Sequence, residues 1–143
     1  IIWDNAIGDK ESAILELDLA PLFLITVNYP WNKIYRTSFI RNAKILFSTA
    51  GINEDILPHW ATYMRAGRFL ALNKSLTIHR LIPGRDQHTS VQDERRLEIF
   101  AAFRDAEQLF DENSDFRRKY YHLFLFFSSF LLHLFHINSI SLS

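Results

Sequence analysis

Glu54 and Asp55 stand side by side in GINEDILPHW, residues 51–60, just ahead of Pro58, His59 and Trp60. An adjacent acid pair can do one of two jobs. At a helix start, a carboxylate accepts hydrogen bonds from orphan backbone N–H groups and is favoured by the helix dipole. In a reaction site, it takes a proton from a nucleophile. Local sequence fits both, and the two are compatible only if one carboxylate oxygen stays free. Trp31, Asn32 and Lys33 form a second grouping, with an aromatic face, an amide and an ammonium in consecutive positions. A third is the basic set His79, Arg80 and His88. His59 is expected to pack or to face solvent. His122, His133 and His136 are numerous enough for a metal, but only the last two share helical i, i+3 spacing and no acid lies near them. No metal ligands are assigned there.

Several elements must position these side chains. Pro58 fits a helix only in its first turn, so the helix carrying Leu57, Trp60, Ala61 and Met64 should begin at about Asp55 and close at Gly67. Upstream, Lys10–Pro21 is expected to be a short amphipathic helix with Ala13, Ile14 and Leu17 on one face. Leu22–Val27 is apolar and β-rich, which suits a buried strand or a tight connection. WNKIYR suits a strand or an irregular segment lining a site. TSFIRNAK predicts one or two helical turns capped by Thr37 or Ser38. Downstream, RFLALNKSLTIHRLI predicts two short strands about Asn73–Lys74–Ser75. Val91–Glu112 predicts a helix with Ile99, Phe103, Ala106 and Phe110 on one stripe, capped by Thr89 or Ser90.

Composition narrows the function classes. At 143 residues, 48% of them hydrophobic, the chain is long and apolar enough for one folded domain. Sixteen basic residues balance sixteen acidic ones with no clustered basic run, so a nucleic acid is not the expected partner. Cysteine is absent, which excludes disulfides and Cys-ligated zinc. Helices interleaved with short strands predict an α/β domain, or the second half of one.

Taken in order, YPWNKIYRTSFIRNAKILF, INEDILPHW and IHRLIPGRDQHTS resemble the second half of the catalytic domain of family 2 glycosyltransferases. The resemblance spans about residues 22–112 and rests on W-N-K-I-Y-R (31–36), a strand at Ile45–Phe47, the E-D pair, then Arg80, Pro83, Gly84 and Thr89. It implies a GT-A (nucleotide-diphospho-sugar transferase) fold and inverting transfer of a sugar from a nucleotide-sugar donor to a glycan or other hydroxyl acceptor. Asp55 would be the catalytic base and Glu54 its supporting acid. Trp31, Asn32, Lys33 and Arg80 would bind substrate, with His79 or His88 at the diphosphate and its metal, although neither His falls squarely on the family pattern. The D-x-D motif that holds nucleotide and metal in the family does not occur in the sequence. The expectation is therefore a partial GT-A domain without its N-terminal nucleotide-binding half, inactive alone. Mg²⁺ or Mn²⁺ would be held mainly by that half, and the lack of an initiating Met before IIWDN fits an excerpt.

The C-terminal stretch is a separate matter. Tyr120–Ile137 gives 18 residues without a formal charge, at the short edge of a membrane span. Residues 1–115 are read as the catalytic portion and 116–143 as an apolar helical tail that packs on it or touches a membrane. A cytoplasmic location, or the cytoplasmic face of a membrane, would follow. A non-catalytic helical module, membrane-associated or protein-binding, is the competing expectation.

Overall fold

A five-residue strand, β1 (Ser12–Glu16), occupies the place where the sequence predicts a helix. It pairs antiparallel with β2 (Arg68–Leu72), in the register Ser12↔Leu72, Ile14↔Leu70 and Glu16↔Arg68. Alternation decides the outcome: Ala13 and Leu15 face inward, whereas Ile14 is 72% exposed. A helix this short is marginal by itself, and a strand partner offers backbone hydrogen bonds together with an apolar face. That partner lies beyond the reach of any local pattern. The computed structural model describes residues 7–78, 80 and 93–140, the last six of these as helical backbone only.

After β1, the chain turns through a 3-10 helix, Pro21–Ile25, which buries Phe23 and Leu24. This is the tight connection, not the strand. A second 3-10 turn, Pro30–Asn32, leads into extended residues and then α1 (Thr37–Asn42). Helical geometry is already established at Thr37, with Arg36 in the cap position, so neither Thr37 nor Ser38 caps this helix. Then come α2 (Ile56–Ala66), β2, a 3-10 turn at Glu94–Glu98, α3 (Ile99–Glu112) and α4 (Ser114–Ile140). The predicted hairpin about Asn73–Lys74–Ser75 does not form among the described residues: β2 pairs with β1, and Leu76–Ile78 are irregular and exposed. Thr89 and Ser90 lie outside the described residues, and the Asp93 carboxylate accepts the Arg95 N–H at the start of the turn before α3.

The main core lies where α2, α3 and α4 meet. Ile99, Ala102, Ala106, Leu109 and Phe110 line one stripe of α3, and Phe116, Tyr120, Phe124 and Phe127 line one stripe of α4. Phe103, placed on the predicted stripe, is only partly buried at its edge. Trp60 of α2 fills the centre, its ring 5.7 Å from Phe110, 5.3 Å from Phe124 and 5.7 Å from Phe127. The first half of α4 therefore packs on the domain. No helix among the described residues is long and apolar enough to cross a membrane. The described chain is a small, mixed, helix-rich domain with a two-stranded antiparallel sheet.

Candidate active site

Asn53 takes a left-handed backbone conformation, φ 59°, and its carbonyl accepts the Ile56 N–H, which turns the chain into α2. The Glu54 carbonyl is tied to the Ser48 N–H at 3.0 Å. Asp55 thus occupies the cap position of α2, yet its side chain makes no capping hydrogen bond. Its Oδ1 instead accepts from the Asn28 Nδ2, at 2.6 Å. The carboxylate is half-buried at the head of the helix rather than folded over it.

The loop from Val27 to Lys33 forms the facing wall. Lys33 Nζ donates to the Val27 carbonyl at 3.0 Å, the Tyr29 carbonyl at 3.1 Å and Asn32 Oδ1 at 2.7 Å. Three acceptors match the three N–H groups of an ammonium, so Lys33 clamps its own loop. Asn32 adds a longer bond to the Val27 carbonyl, at 3.4 Å. Trp31 is partly exposed and stacks on Tyr29, with ring centroids 4.5 Å apart and 15° between planes. The Trp31 loop is joined to Asp55 through Asn28 and through the charge of Lys33.

Electrostatics follow from burial. Loss of water pushes the Asp55 carboxyl up to about 6, and the neighbouring Glu54 charge adds to the rise. The hydrogen bond from the Asp55 backbone N–H, then that from Asn28, then the Lys33 charge act in the opposite sense. Burial pulls the Lys33 ammonium down to about 8, against the attraction of Asp55. Tyr35, half-buried beside them, has its phenol raised by burial, with the Thr62 hydroxyl opposing and the Asp55 charge reinforcing. One turn into α2, His59 is fully buried, and its Nε2–H donates to the Leu24 carbonyl at 2.8 Å. A carbonyl can only accept, so the proton sits on Nε2, and burial drives the ring's proton affinity down to about 3. His59 is a neutral strut between α2 and the Pro21–Ile25 turn.

The structure brings Asp55, Lys33 and the loop bearing Trp31 and Asn32 together. Glu54 is exposed beside them. Arg80 is exposed and makes no hydrogen bond or ion pair to this cluster among the described residues, and His79 and His88 lie outside those residues. Asn28 escaped sequence reasoning, and Tyr29 and Tyr35 entered it only inside the YPWNKIYR segment, with no role assigned. The available signal was a lone polar side chain, Asn28, ending the apolar run LITV immediately before the Y-P-W-N-K segment. Two cavities, of about 220 and 230 Å³, lie elsewhere: one beside Asp18, Lys119 and Tyr120, the other beside Lys44, Arg65 and Asp105. Asp55 lines neither. Among the described residues, no three His, Asp or Glu side chains converge to hold a metal ion.

No protein-family model matches the chain, and neither a curated protein nor a solved structure matches it.

Proposed function

We propose that this chain forms the acceptor side of a nucleotide-sugar-dependent glycosyltransferase resembling family 2, built on the later part of a GT-A fold. The observation that carries the proposal is the state of Asp55: it heads a helix without capping it, with one oxygen held by Asn28 and burial placing its proton affinity at about 6. A general base works best when its pKa lies close to the operating pH. In this reading, the Asp55 carboxylate takes the proton of the acceptor hydroxyl as that oxygen attacks the anomeric carbon. The new C–O bond forms as the bond to the nucleotide diphosphate breaks, with inversion, and the diphosphate carries away the electron pair.

Glu54 keeps the proton affinity of Asp55 high through its charge. Lys33 supports the site by fixing the loop, and Trp31 with Tyr29 offers an aromatic pair beside it on which a sugar could stack. Donor nucleotide and metal would be held by residues of the D-x-D type, which this sequence does not contain. The competing reading, a non-catalytic interaction or membrane-associated module, draws on α4, where Leu125, Phe126 and Phe130 are exposed.

The test is sugar transfer from a panel of nucleotide-diphosphate sugars to hydroxyl acceptors by this chain joined to a nucleotide-binding half of the D-x-D type, comparing the active parent with its Asp55→Asn variant. Transfer should fall by roughly 100-fold or more, the usual contribution of a general base, while donor affinity is unchanged. Equal turnover by the variant would end the proposal.

A further inference from the structure

Asn28 is only 7% exposed, and the chain around it is pinned from several sides. The Leu24 carbonyl upstream is held by His59, and the Thr26 hydroxyl donates to the Phe23 carbonyl at 2.7 Å. The two carbonyls flanking Asn28, those of Val27 and Tyr29, both accept from Lys33 Nζ. One ammonium therefore fixes the carbonyls of the residues before and after a single buried amide. That amide spends its Nδ2 on Asp55 Oδ1, across 27 positions of sequence. The backbone N–H of Asp55 also bonds to its own carboxylate, and Asn28 is the one side-chain donor to it among the described residues.

We infer that Asn28 is a positioning residue for Asp55, held rigid by the Lys33 clamp, which fixes Oδ1 and leaves Oδ2 directed at an incoming acceptor hydroxyl. The inference rests on the reading of Asp55 as a base and adds the group that orients it. A carboxylate with one oxygen fixed presents the other in a defined direction, and reactions of this type lose rate steeply with small errors of placement. It also separates two duties of the loop. Lys33 acts on the backbone and Asn28 acts on the carboxylate.

The charged and titratable groups facing Asp55 are Glu54 on its own segment and Lys33 and Tyr35 from the opposite wall. None of them changes in the variants that test the inference. Asn28→Ala removes the donor. Asn28→Asp keeps the shape of the side chain but replaces the donor with a second acid. The readouts are the ¹³C-carboxyl titration of Asp55 and thermal unfolding in this chain and, in the chain joined to a nucleotide-binding half, the acid limb of kcat/KM. Loss of a donor to the charged form should raise both the titration and the limb by about one pH unit in Asn28→Ala, and further in Asn28→Asp, where two acids share one site. The kcat should drop roughly 10-fold from lost orientation while the donor KM holds. A purely structural role would lower unfolding temperature and leave the limb in place. If Asp55 titrates in both variants as it does in the parent, the inference is overturned. Should Asn28→Ala fail to fold, the near-isosteric Asn28→Asp decides alone. Normal transfer by Asp55→Asn is a separate result that overturns the proposed function, whatever the Asn28 variants do.

Discussion

Asp55 and His59 sit one helical turn apart, yet burial moves their proton affinities in opposite directions. The Asp55 carboxyl rises from 3.8 to about 6, so between those values the folded chain binds a proton that the unfolded chain does not. Stability is therefore gained as pH falls through that window. His59 drops from 6.5 to about 3, so there the unfolded chain binds the extra proton and stability is lost as pH falls. From about pH 6 to about pH 4 the two contributions oppose each other. Asp55→Asn should unmask the histidine, and stability by urea denaturation should then fall with acid by up to about 1.4 kcal/mol per pH unit relative to the parent. Solvent screening of the partly exposed Asp55 will reduce that figure. His59→Gln should do the reverse, leaving a protein that gains stability from pH 6 to pH 4. Parallel curves for parent and variants would show that neither group is shifted. Asp55 could be singled out from sequence because its neighbours in the chain are informative. Asn28 was marked only by its place at the end of LITV, and the partner that gives it a role, Asp55, lies 27 positions away.

Among the elements, α2 is the one whose limits the sequence states in full. Pro58 can sit only in the first turn, and Gly67 ends the helix at φ 68°, its N–H bonded to the Tyr63 carbonyl. No atom lies within 4 Å of a Cβ built on Gly67, so a side chain there meets backbone strain alone. Gly67→Ala should cost about 1–2 kcal/mol in chemical denaturation, the penalty of the left-handed region for an L-residue. No loss would mean that the turn relaxes freely. Strand β1 is the opposite case. Its sequence, SAILE, satisfies a helix face or a strand alternation equally well over so few residues. The choice was made by β2, which arrives only after α2 has reversed the chain and then supplies Ala71 and Phe69 to the inner face.

At the scale of the molecule, three helices are held by one aromatic cluster around Trp60. Phe124 is buried against Trp60, Phe110 and Phe103, whereas Phe126, two residues on, is exposed. Phe124→Ala should destabilise the protein by roughly 3–5 kcal/mol, and Phe126→Ala should change stability by less than about 0.5 kcal/mol. Denaturant midpoints for the pair would check that the first half of α4 belongs to the domain core. Equal losses would mean that α4 docks on another face. Since α4 also packs over the Pro21–Ile25 turn, and His59 holds that turn to α2, the cluster supports the same backbone that delivers Asn28.

Periodicity and the special backbone demands of Pro58 and Gly67 sufficed to place α2, the stripe of α3 and the helical nature of the C-terminal stretch, because those signals are complete within a few turns. The acid pair could be marked in the same way, and its two possible jobs stated. What the tertiary structure alone decided was where the carboxylate goes: Asp55 makes no side-chain cap to the helix and accepts from Asn28. It also decided that Lys33 holds backbone, that Arg80 makes no polar contact with the Asp55 cluster among the described residues, and that SAILE is a strand. Each of these depends on a partner far along the chain, and burial, the force that sets proton affinity here, exists only once those partners have met.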